Sequence, residues 1–190
     1  NHTPVTVTNF PVRTIAPKDV DIDLDSKFNF LVVSQNGPRK NLSNTIQWFV
    51  EEHRDDKDVG LVLKIFCADN STIDRQRTKK FVQTAISRAN VDKDDIKCPI
   101  YLLHGEMHDE ELQGLYTHPK IKCLINLAHG EGFGLPLFES VCAGLPVMTV
   151  DWGGQLDFLY APVKKKNSKK VRMRPHFCRV DYDISPVQPE

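Results

Sequence analysis

The stretch His129-Gly130-Glu131-Gly132-Phe133-Gly134-Leu135-Pro136-Leu137-Phe138-Glu139 leaves this chain few ways to fold. An apolar run, Cys123 to Ala128, leads into it and reads as a buried strand. Glycines at 130, 132 and 134 then make a loop that side chains do not obstruct. Pro136 suits the first turn of a helix, where its missing N–H is not needed. Gly144 and Pro146 stop that helix, and Val147 to Val150 is the next strand. Strand, bare loop, helix, strand is a unit of an α/β sheet. The loop brings free backbone N–H groups and the positive end of a helix dipole to one place, a ready anion site.

Two carboxylates complete the unit. Glu139 is the only charged residue between Gly134 and Asp151, on a helix whose apolar neighbours predict burial on most sides. A carboxylate there needs a partner, and ligand hydroxyls would serve. Glu131 sits in the loop eight positions earlier, expected to face the same crevice. The plainer account has Glu139 favouring the helix N-terminus and Glu131 solvated. The combined spacing favours the first account.

Upstream, strands and helices alternate. Phe28 to Val33 is a strand, Ser34 to Pro38 a turn, and Leu42, Ile46, Phe49, Val50 and His53 form one helical stripe. Val59 to Cys67 is a second strand, followed by a polar helix from Asp74 to Arg88 with Phe81, Ala85 and Ile86 inward. Pro99 to Leu103 is a third strand, and Asp109 to Tyr116 a helix with an acidic first turn. This order predicts an α/β fold with a doubly wound, mostly parallel sheet, Rossmann-like. Ligands of such sheets bind beyond the carboxyl ends of the strands. The turns holding Lys40, His104 and Glu131 all follow strands, so one crevice can collect them.

Glu131 to Glu139, with Gly132-Phe133-Gly134-Leu135-Pro136 between, resembles the E-x7-E signature of retaining glycosyltransferases of the two-domain GT-B type. The family-4-like, or group 1, enzymes are the nearest pattern, and Val147 to Gly154 resembles the segment that follows there. The resemblance covers roughly residues 28 to 160. It implies a C-terminal donor domain that binds a nucleoside-diphosphate hexose and uses no metal or other cofactor. Glu131 and Lys40 take the catalytic roles, Glu131 orienting the transferred sugar and Lys40 the diphosphate. Glu139 grips the ribose, and Gly132, Phe133, Gly134 and Leu135 line the donor. His104 and Gly105 lie where the family holds the nucleobase. The family's phosphate-binding arginine falls on Gln35, which removes one charge; Arg39 compensates only if it points inward.

Other functions draw on the same residues. Gly130-x-Gly132-x-Gly134 followed by Asp151 also mimics the fingerprint of an NAD-binding oxidoreductase, but Leu135 replaces its third glycine. A non-catalytic nucleotide-sugar-binding module would use the same site. Twenty-five basic residues balance twenty-five acidic ones, which gives no footprint for nucleic acid. His104 and His108 have metal-like spacing, yet Gly105 breaks any shared helix face. The five cysteines lack a C-x-x-C pair and read as reduced core thiols of a cytoplasmic protein.

Residues 1–27 read as a linker. Within them Asp19, Asp21, Asp23 and Asp25 alternate with Val20, Ile22 and Leu24, as in an extended segment docking its apolar side. Residues 28–160 form the donor domain. Residues 161–190 hold a basic loop, Lys164 to Arg174, then an edge strand within His176 to Tyr182. The basic loop reads as solvated surface; the alternative is contact with an anionic membrane or acceptor. The first residue is Asn and the family continues past this length, so truncation at both ends is expected, with the N-terminal acceptor domain missing. Alone, the chain is expected to bind donor without transferring sugar.

Overall fold

The computed structural model describes residues 3–6, 8, 10–164 and 170–186. The elements are β1 (Phe28–Gln35), α1 (Leu42–His53), β2 (Val59–Phe66), α2 (Thr72–Arg88), β3 (Ile100–Leu103), α3 (Asp109–Tyr116) and β4 (Ile121–Asn126). They continue as α4 (Leu135–Cys142), β5 (Val147–Val150), α5 (Leu156–Leu159), β6 (Tyr160–Lys164), β7 (Val171–Pro175) and β8 (Cys178–Val180). Six strands form one sheet in the order β3-β2-β1-β4-β5-β8. Every pairing in it is parallel. β6 and β7 make a separate antiparallel hairpin.

Period-two alternation decides which side chain enters which layer. Leu61, Leu63 and Ile65 of β2 pack with Val32, Ile46, Phe49, Val50 and Ala85, under α1 and α2. Val62 and Leu31 face the other way, onto Leu115, Leu124, Leu137 and Leu159 of the α3, α4 and α5 side. Both faces are therefore covered, and the central strands can be apolar almost throughout. Each fully buried leucine contributes roughly 1.5–3 kcal/mol. The chain winds outward from β1 to β3, then crosses back to β4 on the other side of β1. The switch point lies between the carboxyl ends of β1 and β4, where such sheets leave a crevice.

Four expectations change. Residues 10–26 are not a free linker. Lys18 N donates to Glu110 O at 2.9 Å, Lys18 pairs with Glu111 at 2.7 Å, and Arg13 pairs with Asp109 at 2.5 Å. Leu24 is buried while Asp19, Asp21, Asp23 and Asp25 stay exposed, so this segment is a strap docked by its apolar side. α4 is less buried than its composition predicts. Only Leu137 and Ser140 are buried, and Leu135 is 47% exposed. Cys98 and Cys123 are core thiols, but Cys142 and Cys178 are exposed. The basic stretch contributes to the β6–β7 hairpin; its residues 165–169 lie outside the described residues. The edge strand does form, as β8 against β5, and it carries the main sheet past residue 160.

Candidate functional site

Two loops meet across the switch point. After β1 a tight turn, Pro38–Lys40, brings two cations to the sheet's edge, and Asn41, in the left-handed region at φ 54°, starts α1. After β4 the chain enters the glycine loop. Backbone and side chain stitch the loops together: His129 N donates to Arg39 O at 2.9 Å, and Asn41 Nδ2 to Leu127 O at 3.0 Å. Glu131 lies at the centre, its side chain 6% exposed. It accepts from Lys40 Nζ at 2.6 Å, Arg39 Nη1 at 3.0 Å and Asn126 Nδ2 at 3.1 Å. Burial alone would raise its pKa, but these three donors outweigh it and hold the carboxyl below its ordinary range. Arg39, its side chain 56% exposed, also donates to Gly130 O beside Lys40. Gln35, the last residue of β1, is exposed.

The loop then turns through Gly134 at φ 84° into α4. It is supported from behind by the β5–α5 connection. Gly154 N donates to Glu131 O at 2.9 Å. A Cβ on Gly154 would stand 1.8 Å from Gly132 O, so only glycine admits this contact. Gly132 itself has open space where a Cβ would point. Phe133 joins an aromatic cluster, stacked on Phe10 at 4.6 Å and near Phe138 and Phe158.

The remaining candidates divide between two clefts. Glu139 lies on α4, the helix that the glycine loop opens. It lines a cleft of about 350 Å³ with Leu135, Tyr116 and the Phe10–Ile15 part of the strap. Tyr116 Oη donates to Glu139 Oε2 at 3.1 Å. Burial raises the Glu139 pKa and the Tyr116 hydrogen bond opposes it; the same pair and burial raise the Tyr116 phenol. A second cleft, of about 450 Å³, opens at the carboxyl ends of β1, β2 and β3, bounded by Gln35, Lys64, Asn70, Gly105, Glu106 and Pro136. Gly105 lines it, with φ 116°. His104 does not: its side chain is 3% exposed and its Nε2 lies 3.1 Å from Asp74 Oδ2. Burial would raise the Asp74 pKa, but bonds from Ala68 N, His104, Asn70 N and Cys67 N keep it below normal. The ionised Asp74 accepts, so Nε2 carries the proton, and His104 anchors the β2–α2 loop instead of facing a ligand.

The chain matches no protein-family model and no curated protein sequence. Solved structures do resemble it. One is the C-terminal domain of a group 1 family glycosyl transferase (LpcC) from Francisella tularensis, TM-score 0.55 at 17% identity, over 82% of this chain and 68% of that one. Another is an α,α-trehalose-phosphate synthase (UDP-forming) from Burkholderia xenovorans in complex with glucose-6-phosphate, TM-score 0.54 at 16% identity, over 72% of this chain and 32% of that one. A third is a GtfA/B complex, TM-score 0.51 at 17% identity, over 92% of this chain. This chain has the fold of a GT-B C-terminal domain. It spans 29–32% of the length of the GtfA/B and trehalose-phosphate synthase chains.

Within this GT-B domain, four contributors escaped sequence reasoning. Asn126 ends β4 and donates to Glu131; a polar residue closing an apolar run was the available signal. Gly154 supports the glycine loop. Tyr116 supplies the Glu139 partner from a helix 23 positions away, which no local pattern announces. Lys64 breaks an otherwise apolar strand, Val59 to Phe66, and that interruption was legible.

Proposed function

We propose that this chain is the donor-binding domain of a retaining glycosyltransferase, which moves a hexose from a nucleoside-diphosphate sugar to an acceptor held by a separate N-terminal domain. The observation that carries it is the convergence of Lys40 and Arg39 on Glu131, next to the N-terminus of α4 and at the switch point. The fold it shares with glycosyl transferases, one of them UDP-forming, supports the same class.

The chemistry follows from charge. A departing nucleoside diphosphate gains negative charge as the glycosidic bond breaks. Groups that bind that charge more strongly in the transition state lower the barrier. Lys40, Arg39 and the backbone N–H groups that open α4 are placed for this. A diphosphate arriving between the loops competes with Glu131 for both cations. Releasing them frees the Glu131 carboxylate to accept hydroxyls of the sugar. Glu139, on the next face of α4, accepts from the ribose. This scheme invokes no metal. The exposed Arg172 and Arg174 on β7 suit an anionic acceptor or membrane surface. Among the described residues, no helix is long and apolar enough to cross a membrane.

A dinucleotide site fits less well. In this sheet order its glycine turn follows β1. Here that turn is Asn36-Gly37-Pro38-Arg39-Lys40, with a single glycine and two cations. Calorimetry with UDP, GDP, ADP and NAD separates the two. At least one diphosphate should bind more tightly than NAD; NAD binding best would overturn the proposal. A non-catalytic module would bind equally well, so turnover with the acceptor domain present is its test.

A further inference from the structure

Lys64 is the one lysine or arginine buried among the described residues, 9% exposed in the middle of the sheet. Alternation along β2 sends its stem to the α3 side with Val62, and its Nζ reaches the carboxyl edge to donate to Gly105 O. Burial lowers its pKa, against the attraction of Glu106. An ammonium carries three donors. One backbone carbonyl is a weak reason to bury a cation, since a methionine would fill that channel without desolvating a charge. Both Lys64 and Glu106 line the 450 Å³ cleft, which is in the size range of small-molecule sites. Pro136, at the start of α4, lines it too.

Resting on the nucleoside-diphosphate proposal above, we infer that Lys64 and Glu106 read the edge of the nucleobase and select keto bases over amino bases. Uracil presents a C4 carbonyl beside an N3–H, and guanine a C6 carbonyl beside an N1–H. An ammonium donates to the carbonyl, and a carboxylate accepts from the N–H. Adenine and cytosine present the reverse: an amino donor beside a ring-nitrogen acceptor. That order sets donor against ammonium and lone pair against carboxylate. The mismatch leaves charged groups without partners, and sites built to hydrogen-bond a ligand reject such analogues strongly. Lys64 reads from a rigid strand and Glu106 from the loop after β3, so the two approach from different walls of one cleft.

The test is calorimetry with UDP, GDP, ADP and CDP on the parent chain, Lys64→Met and Glu106→Gln. UDP or GDP should bind at least about tenfold more tightly than ADP and CDP. Lys64→Met keeps the stem and removes the donors, so the keto bases should weaken about tenfold while ADP and CDP hold. Glu106→Gln can donate as well as accept, so ADP should gain and the gap narrow. Glu106 is exposed, so this variant carries the test even if a thermal melt shows Lys64→Met unfolded. Equal affinity for all four diphosphates, or a gap that Glu106→Gln leaves unchanged, overturns base reading and leaves the donor-site proposal standing. Failure of all four to bind overturns both.

Discussion

Lys40 Nζ stands 2.6 Å from Glu131 Oε1, joining two loops whose residues are 91 positions apart in the chain. The bond fixes the glycine loop against the β1–α1 turn, and so fixes the shape of the crevice between them. Its loss should be visible in both stability and binding.

Glu131→Gln removes the charge that both cations address. Hydrogen bonds to charged groups contribute about 1.5–3 kcal/mol, and chemical denaturation should show a loss of that order. The folded carboxyl titrates below its ordinary range. Its contribution is therefore complete above an unfolded glutamate's pKa of about 4.3 and disappears as pH falls through the lower folded value. The variant should lack that acid-side decline, measured as stability against pH; matching slopes would show that Glu131 is not held by these donors.

Glu139→Gln should weaken diphosphate binding roughly tenfold to a hundredfold while the fold survives. Burial holds the Glu139 carboxyl above its ordinary range. A ligand hydroxyl donates to the ionised form, so affinity should fall on acidification at a higher pH than an exposed glutamate would give. Tyr116→Phe removes a donor to that form and should move the decline higher still. Affinity that is flat across this range in the parent would place the ribose elsewhere.

Gly154→Ala drives a Cβ against Gly132 O. Overpacking of this kind costs about 1–3 kcal/mol, and the strain falls on the glycine loop. Thermal melting and diphosphate affinity should drop together. An unaffected affinity would mean that the glycine loop yields without consequence for the site.

The chain by itself should release nucleoside diphosphate from a donor sugar only slowly. In a two-domain enzyme, closure excludes water and completes the site. Acceptor-dependent release at about 1 per second or faster would show that no second domain is needed.

The parallel sheet and its switch point were legible because β1, β2 and β4 are apolar runs separated by helical stripes, and α3 begins and ends where its pattern predicts. Side-chain direction at strand ends was not. His104 follows β3 at the ligand edge, yet a buried aspartate 30 positions away captures it. Glu131 and Glu139 look like one pair in sequence, but their partners come from distant elements: Lys40 bonds Glu131 and Tyr116 bonds Glu139. The docking of the strap was legible in the alternation of Ile22 and Leu24 with aspartates, while its prolines suggested a linker.

β8 has a consequence for the chain's solubility. It is the last strand in sequence, and it covers the outer edge of β5 through Met148, Thr149 and Val150. A fragment cut at residue 160 keeps both clefts but exposes that edge, a row of unpaired N–H and C=O groups able to template pairing with a second chain. Such a fragment should self-associate through β5. The few residues from Cys178 to Val180 thus act as the sheet's guard against aggregation, although they lie outside both clefts.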